Sequence, residues 1–353
     1  MIADARRRTA RCRTGLLGYH RRVRRLTVCL VLAACGADGA ALLDGGSDTV
    51  DAASGSCVPR TGWTTAPKLA RGKTQETAAV ALAGKLYVLG GFDDQAAVLD
   101  TVQVFDTRAC TWAAGPVLPR AVHHANAAVV GDTIWIVGAM ETLSFTPVAH
   151  VWSWKPASET GWTQHAAMPG PRGSAITGVI GGVIYLAGGL RGGTAVVDVS
   201  SFDPATGTWD ATLPPLPESR DHGCGGAVGG KLYVTGGRRG GIGTTSPVVS
   251  EYTPAGGWVT KAPMPTARGG TACGVIADRI YVVGGEGNPA TSAGVFAQVE
   301  AYAPASDTWV ELAPMPVPRH GMGAAVLEGA LWVPGGATKQ GFGADDTVDA
   351  FVP

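Results

Sequence analysis

The sequence predicts an all-β fold, because a short apolar strand that ends in a double glycine recurs six times along the chain. Successive copies start 48 to 51 residues apart. No helical periodicity persists past residue 35, and the 52 glycines punctuate short strands and turns. A fixed period of this length predicts a stacked or circular array of similar units. The copies occupy residues 84–91, 132–139, 182–189, 230–237, 278–285 and 329–336, the second and last being weaker.

The unit at residues 220–268 shows how one repeat divides into four strands. Its first strand is rich in glycine, which suits the innermost position, where units crowd around an axis. Its second strand alternates Leu232 and Val234 with an aromatic residue and ends at Gly236-Gly237, where we expect positive φ or a close backbone approach. The predicted strands, named a to d from the axis outwards, are Gly223–Val228, Lys231–Thr235, Val248–Tyr252 and a segment that contains Trp258.

Two aromatic signals recur in the same register. A tryptophan in the last strand precedes a proline-bearing exit at Trp63, Trp112, Trp162, Trp209, Trp258 and Trp309. An aromatic residue precedes a turn at Phe105, Phe202, Tyr252 and Tyr302. Together with the double glycines, these features resemble the kelch repeat over residues 57–353. The resemblance implies a six-bladed kelch β-propeller with four antiparallel strands in each blade.

The two ends of the repeat region predict how the ring closes. The last unit has strands a, b and c at 321–327, 330–333 and 346–352, and then the chain ends without a tryptophan strand. The segment Gly62–Leu69 has the strand-d signature but no unit in front of it. We therefore expect the N-terminal strand to complete blade six, which removes exposed sheet edges.

Residues 1–34 have the layout of a secretory signal. An arginine-rich start is followed by an apolar run at 26–34 that is too short to span a bilayer. The sequence LAACG at 32–36 resembles the lipobox of bacterial lipoproteins, which implies cleavage before Cys35 and diacylation of this residue. A plain signal peptide or a misassigned start codon are the alternatives. Residues 35–56 are small, acidic and rich in glycine, which is typical of a flexible tether.

Four cysteines lie outside the leader and the lipobox: Cys57, Cys110, Cys224 and Cys273. Disulfides persist in exported proteins, and four cysteines allow three pairings. Cys57 and Cys110 both come just before strand d in adjacent blades, and Cys224 and Cys273 both lie on strand a of adjacent blades. These two pairings are favoured, and free buried cysteines are the alternative.

The d–a loops end with arginines near the start of strand a, at Arg71, Arg120, Arg172, Arg220, Arg268 and Arg319. In a four-stranded antiparallel blade, the d–a loops open on the same face as the variable b–c loops, here called the loop face. Arginines around a channel mouth could bind a carboxylate or an acidic partner through forked hydrogen bonds. Arg120, Arg172, Arg220, Arg268, Arg319 and Glu286 are therefore ligand-binding candidates. The alternative is that these arginines tie neighbouring loops together.

Histidines at nearly the same repeat position give a weaker signal for a metal site. His124, His222 and His320 belong to alternate blades, so their imidazoles could converge on the axis. Their registers differ by one residue, however, and such a shift turns a strand side chain to the other face. The sequence therefore predicts no metal and no cofactor.

Two classes of enzyme have a kelch propeller. Copper-radical oxidases need tyrosines at the metal, but the tyrosines outside the leader all occupy strand-b or turn positions, so this chemistry is excluded. Sialic-acid mutarotases need a channel acid beside an arginine that grips the substrate carboxylate. Glu286, Glu141 and Glu76 fall on or near the loop face and leave this activity open.

The sequence favours an exported binding module over an enzyme. Net charge is zero and charged residues make up 16% of the chain, so no nucleic-acid footprint is present. We expect a monomer, lipid-anchored at the bacterial cell envelope, whose loop face binds a protein or a glycan. The alternative is a sugar mutarotase that uses a Glu/Arg pair in the channel. A propeller supports either function, so the fold does not choose between them.

Overall fold

The computed structural model describes Cys57 and residues 59–353, which form six four-stranded antiparallel sheets. The predicted six-bladed, all-β architecture is confirmed. No helix occurs in these residues, and none of them forms a helix able to cross a membrane. The leader, the tether and the lipidated cysteine of the sequence prediction lie outside the described residues.

Each blade contributes strands a to d in the order of the sheet. In blades one to three the strands are Ala78–Leu82, Lys85–Leu89, Val102–Asp106 and Thr111–Ala114; Ala127–Val130, Thr133–Glu141, Thr146–Trp154 and Thr163–Gln164; and Ile176–Ile180, Val183–Ala187, Val199–Asp203 and Thr208–Asp210. Two-stranded pairs on the loop face join Thr74–Gln75 to Phe92–Asp93 and Leu190–Arg191 to Thr194–Ala195.

In blades four to six the strands are Cys224–Val228, Lys231–Thr235, Val249–Thr253 and Gly257–Lys261; Ala272–Ile276, Arg279–Val283, Val299–Ala303 and Thr308–Glu311; and Ala325–Leu327, Ala330–Pro334, Val348–Val352 and Gly62–Ala66. The first strand of the repeat region is thus hydrogen-bonded to the last, with Gly62 opposite Val352 and Ala66 opposite Val348.

Alternating side chains of strand b pack against both neighbouring blades. In blade four, Leu232 and Val234 lie in one cluster with Ile176 of blade three. Tyr233, between them in sequence, lies in another cluster with Ile280 of blade five. Because a neighbouring blade covers each face of the strand, the side chains on both faces are apolar. A strand with one exposed face would alternate apolar and polar residues.

The double glycine is required by the backbone. Gly236 and Gly237 have φ of 57° and 97°. A Cβ on Gly237 would lie 2.7 Å from the carbonyl oxygen of Asp221, which is closer than packed atoms tolerate. Both reasons predicted from the sequence therefore apply at this position.

The recurring tryptophans tie each blade to its neighbour. Five indole Nε1 atoms donate to a carbonyl in the segment after strand d of the preceding blade: Trp63 to Ala313, Trp112 to Pro67, Trp162 to Pro116, Trp258 to Pro214 and Trp309 to Ala262. Each aromatic turn residue packs on the tryptophan of its own blade, for example Tyr252 on Trp258 at 5.0 Å between ring centroids. Trp63 has the same 5.0 Å contact with Phe351, so the N-terminal strand makes the contacts of a strand d.

One predicted loop is shorter than expected. The b–c connection of blade two was expected at residues 140–148, but strands b and c extend to Glu141 and from Thr146, leaving a four-residue turn. Thr142 and Phe145 have positive φ, so the turn bends sharply and raises its side chains on the loop face.

The structure places both predicted cysteine pairs at disulfide distance. The Cα atoms are 5.2 Å apart for Cys57 and Cys110 and 5.9 Å apart for Cys224 and Cys273. The first pair links the segment before the N-terminal strand to blade one, next to the ring closure. Four residues that are far apart in the sequence thus lie as two pairs between adjacent blades.

We expect peptide mapping of the unreduced protein to find Cys57 linked to Cys110 and Cys224 linked to Cys273. Replacing Cys57 and Cys110 together by serine should lower the free energy of unfolding by about 2–4 kcal/mol, because a bridge that closes a loop of this length restricts the unfolded chain. Free thiols at all four positions in protein from an oxidising compartment would contradict the pairing.

Candidate functional site

One residue per blade, at the start of strand a, lines the mouth of the central channel on the loop face. All six have the left-handed backbone conformation, and they are called the ring residues: Glu76, His124, Ser174, His222, Gly270 and Gly321, with φ between 49° and 63°. Each lies 14 residues before the first glycine of its blade's double glycine or the equivalent position, so the six are equivalent by sequence as well.

The backbones of the ring residues form a closed belt of hydrogen bonds. The amide of each donates to its counterpart in the preceding blade, at 2.6–3.1 Å. The acceptor is the main-chain carbonyl in five blades, and for the amide of His222 it is Ser174 Oγ. The bond from Glu76 N to Gly321 O joins the first blade to the last. The belt therefore fixes the ring residues at the axis through main-chain contacts.

Apart from Ser174, whose hydroxyl accepts one bond, the ring residues form this belt without their side chains. A residue other than glycine costs about 1–3 kcal/mol in the left-handed region, and such residues persist where the surroundings hold them. Two blades have glycine at the ring position and make the same backbone bonds. Glu76, His124 and His222 are thus retained at a position where glycine suffices, which makes them candidates for function.

Three ring side chains meet at one point. His124 Nε2 lies 2.8 Å from His222 Nε2 and 3.0 Å from Glu76 Oε2. Both imidazoles are buried, and Glu76 is partly exposed to the channel mouth. The expectation that differing registers keep the histidines apart is wrong for His124 and His222, which have the same register.

His320 alone is out of register, one residue before the ring position of blade six. Its Nδ1 lies 3.7 Å from Glu76 Oε1 and 3.5 Å from Glu286 Oε2, and its Nε2 donates to the carbonyls of Lys339 and Gly341. It therefore borders the cluster without joining the contact between His124 and His222.

A second layer of polar groups holds the two central imidazoles. His123 Nε2 lies 2.9 Å from the carbonyl of Thr142, and its Nδ1 lies 2.5 Å from His124 Nδ1. His222 Nδ1 is hydrogen-bonded to the carboxylate of Asp221, which also accepts from Arg238 and from the amide of Gly240. Both rings are therefore fixed in orientation by contacts on the side away from the cluster.

The charges of the cluster follow from its burial. Burial, together with the charge of Arg238, lowers the pKa of His222 to about 4. Burial, together with the neighbouring His124, lowers the pKa of His123 to about 3. Burial alone would raise the pKa of Glu76, but the nearby histidines, His124 first, bring it well below its ordinary value. Near neutral pH, His123 and His222 are therefore neutral and Glu76 is a carboxylate.

Four of the predicted ligand arginines lie inside the blades, which corrects the ligand hypothesis for them. Arg172, Arg220, Arg268 and Arg319 are at most 1% exposed. They come two residues before the ring residue, and their guanidinium groups point into the sheet, where main-chain carbonyls accept their hydrogen bonds. Their hydrogen-bonding groups are taken up by the blade itself, so the alternative, that these arginines are structural ties, applies.

Arg268 shows the arrangement in full. Its Nε donates to Gly284 O, the first glycine of the pair, at 2.7 Å. Its Nη atoms donate to the carbonyls of Thr266 and Val282 and form an ion pair with Glu300 of strand c, which is 2% exposed. The first glycine of the pair thus supplies the acceptor, and the arginine supplies the donor, of one structural hydrogen bond.

Arg71 and Arg120 do not share this place, because Thr74 and Val122 hold the equivalent positions. Arg120 is exposed on the rim, with its Nε 2.9 Å from Glu141 Oε1, and Arg71 lies 3.7 Å from Asp93. Of the arginines named as ligand candidates, Arg120 remains accessible to a partner.

Glu286 is buried and already neutralised. Its carboxylate pairs with Arg238 and accepts the amide of Gly341 at 3.2 Å. Arg238 also pairs with Asp221, so this arginine joins two buried carboxylates beneath the loop face. As a freely accessible ligand group Glu286 is a wrong prediction, since both its charge and its surface are covered.

The central channel below the ring is narrow and lined by small residues. A cavity of about 170 Å³ lies between the a strands, with Ala79, Ala127, Thr177, Gly225 and Cys273 among its walls. Small side chains there follow from the crowding of six strands around one axis. The chemistry of the axis is therefore concentrated at the mouth, in the ring residues.

Beside the ring, loop-face residues of blades six, one and two form an aromatic patch, defined as Phe92, Leu143, Phe145 and Phe342. Phe92 is buried at its centre, 5.4 Å from Phe342 and 6.3 Å from Phe145 between ring centroids. Leu143 and Phe342 are 55% and 46% exposed. This patch was not predicted from the sequence. The signal that could have revealed it is the presence of apolar residues in b–c connections, where polar residues are expected.

Glu76 was also not connected to the histidines by sequence reasoning. The common 14-residue offset from the double glycine identifies it as the partner of His124 and His222 in blade one. The same offset excludes His320, which lies 15 residues before its double glycine. The signal was thus present in the spacing and needed alignment on the glycines.

Comparison with known proteins agrees with this architecture. The model of the KLHDC2/KLHL20/DRC7 Kelch-repeats domain matches residues 60–237, and that of the Kelch motif matches residues 267–316. The solved structure of YjhT has a TM-score of 0.66 and 16% identity, covering 80% of this chain and 96% of its own, which shows the shared fold.

Two relatives show how far the sequence similarity extends. Kelch-like protein terF of Aspergillus terreus is 35% identical over 316 residues, covering 82% of this chain and 68% of the relative. Kelch-like protein 35 of Mus musculus is 32% identical over 114 residues, 32% of this chain and 18% of the relative. With the repeat contacts described above, these matches show that the chain belongs to the kelch-repeat family.

Proposed function

We propose that the chain is an exported, membrane-anchored protein whose propeller binds a partner protein at the bacterial cell envelope through its loop face. The kelch propeller is a scaffold suited to protein binding, and this much follows from the family. The location, the contact face and the partner's chemistry are the proposal.

The aromatic patch is the observation that carries the contact face. Phe342 exposes apolar surface next to the buried Phe92, and Leu143 exposes apolar surface in the same turn as Phe145, on the face where the loops depart most from the repeat. Protein interfaces are enriched in aromatic anchors with a polar rim. Arg120 with Glu141 provides charged groups on the same face.

The same face offers little to a small acidic substrate. Four of its arginines are inside the blades, and Glu286 is buried and paired with Arg238. A mutarotase would need the glutamate and the arginine free to meet the sugar. The observations therefore support a binding surface ahead of the sugar-mutarotase alternative.

Export and anchoring are supported by the N-terminal sequence. Residues 1–34 have the charge pattern of a signal peptide, Cys35 lies at a lipobox, and residues 35–56 provide a tether between a lipid and the propeller. Two cysteine pairs at disulfide distance fit an oxidising compartment.

Replacing Leu143 and Phe342 together by serine is expected to weaken partner binding by about tenfold or more, as loss of central apolar anchors does. The matched control replaces Val259 and Val310, which are 54% and 44% exposed on strand d. Partners are captured from envelope extracts with the wild-type protein and identified. Biolayer interferometry then measures the affinity of each partner for the wild type, the patch variant and the strand-d control.

Two results would contradict the proposed contact. One is equal loss of binding in the patch variant and the strand-d control, and the other is a captured ligand that proves to be a glycan insensitive to both. Mutarotation of sialic acid accelerated by the wild-type protein would favour the enzyme alternative.

For the anchor, mass spectrometry of membrane-extracted protein should find a diacylated Cys35 as the first residue. A later, unmodified N-terminus would contradict the anchor.

A further inference from the structure

We propose that Glu76, His124 and His222 bind one divalent transition-metal ion at the mouth of the central channel. The inference goes beyond partner binding and does not depend on it. It rests on the convergence of three ligand atoms, on the hydrogen bonds that orient the two imidazoles from behind, and on the backbone strain at which the three side chains are kept.

The donor atoms are close enough for one ion. His124 Nε2 is 2.8 Å from His222 Nε2 and 3.0 Å from Glu76 Oε2, and all three lie within 4.8 Å of one another. Metal bonds of about 2.0–2.2 Å at tetrahedral angles separate ligand atoms by about 3.3 Å. An ion therefore requires the two contacts of His124 to lengthen by about 0.3–0.5 Å, while the donor atoms of His222 and Glu76 are already within 4.8 Å of each other.

The hydrogen bonds of His123 fix the state of His124. A carbonyl oxygen can only accept, so His123 Nε2 donates its proton to Thr142 O. The Nδ1 of a neutral His123 then carries a lone pair and accepts from His124 Nδ1. With this proton on Nδ1, the neutral form of His124 presents the lone pair of Nε2 to the cluster.

The contact with Asp221 fixes His222 in the same way. The carboxylate accepts from His222 Nδ1, so the Nε2 of the neutral ring also carries a lone pair. A carboxylate behind a histidine is the usual support of a metal ligand, because it orients the ring and makes the facing nitrogen more basic.

With both imidazoles neutral, two lone pairs and a carboxylate oxygen face one another at the mouth of the channel. A divalent ion can bind at the point where these donor atoms meet. Two imidazoles with one carboxylate are ligands that suit zinc and its neighbours in the first transition row. The partly exposed Glu76 leaves a path for the ion from the loop face.

A glycine of the ring leaves room for the carboxylate of Glu76. A Cβ on Gly321 would lie 2.4 Å from Glu76 Oε1, so Glu76 extends over blade six only because no side chain is there. The three ligands are held at positive φ, while Gly321 leaves the space that the carboxylate of Glu76 occupies. Strain of this kind clusters at functional sites.

The test is zinc binding by the purified full-length chain after treatment with a chelator. Calorimetric titration with ZnCl₂ is expected to give one site per chain, and zinc should raise the unfolding temperature. Glu76→Gly and His222→Gly copy the glycine of blades five and six and are compatible with the backbone. Each should weaken zinc binding by about 100-fold or more, and Asp221→Asn by about 10–100-fold.

The matched control is His150→Gln, which breaks another His–Glu contact, between His150 Nε2 and Glu141 Oε1 at 3.2 Å. It should bind zinc like the wild type. X-ray absorption of the zinc-loaded wild-type protein should count two imidazole ligands, which keeps the test independent of whether the variants fold. Failure of the wild type to bind zinc, or unchanged affinity in both glycine variants, would overturn the proposal.

Discussion

Replacing Arg268 by alanine is expected to lower the free energy of unfolding by about 3–5 kcal/mol, the largest effect we expect from a single substitution. The change leaves the carboxylate of Glu300 buried without its partner and removes the donors to the carbonyls of Thr266, Val282 and Gly284. The carboxylate of Glu300 and the carbonyls of Val282 and Gly284 are closed off from water by the packed blades. Urea unfolding followed by tryptophan fluorescence measures the loss.

Arg120→Ala is the matched control. Arg120 also pairs with a glutamate, but on the surface, where such a pair contributes about 0–1 kcal/mol. Replacing Arg268 and Glu300 together by leucine should be less damaging than the single change, because no lone charge is left buried. Equal, small losses for Arg268→Ala and Arg120→Ala would show that the buried arginines do not hold the blades.

Deleting residues 57–70 is expected to open the ring and to cause aggregation. The deletion removes strand d of blade six and exposes the edge of Val348–Val352, which then has unpaired backbone groups. It also removes Trp63, with its contacts to Phe351 and to the carbonyl of Ala313. Size-exclusion chromatography with light scattering measures the outcome.

A chain that lacks residues 36–56 is the control, since it keeps every residue of the closing strand. It should elute as a monomer with the stability of the wild type. A monomeric, cooperatively folded protein without residues 57–70 would contradict the closure.

The fold could be predicted from the sequence because a propeller repeats its contacts. Each double glycine, strand-d tryptophan and aromatic turn recurs at a constant spacing, and each corresponds to a backbone or side-chain contact between or within blades. The strand bounds of blade four differ from expectation by about one residue, at Cys224 and Val249. The repeat period and the spacing of its glycines and aromatic residues were therefore sufficient to predict these strands.

The role of the arginines could not be predicted in the same way. Their recurrence near loops suggested a shared surface, but recurrence is equally expected of a residue that satisfies carbonyls inside every blade. Whether Arg268 points outwards or into the sheet depends on Glu300, which is 32 residues away and gives no local signal. Ion pairs between distant strands are visible only after folding.

The axial cluster was partly predictable. His124 and His222 were identified, but counting from neighbouring histidines placed His320 with them and left out Glu76. Counting from the double glycine gives the correct register. The states of the imidazoles depend on Thr142 and Asp221, whose contacts arise from the d–a and b–c connections and do not follow from the repeat.

The central claim is that repeating positions build the propeller and that departures from the repeat carry its chemistry. The direct measurement is the free energy of unfolding of Glu76→Gly/His124→Gly/His222→Gly, in chelator, against the wild type. We predict a change within about 2 kcal/mol, since relief of left-handed strain offsets the entropy cost of glycine. A loss as large as that of Arg268→Ala would contradict the claim, because these side chains would then be needed for the fold.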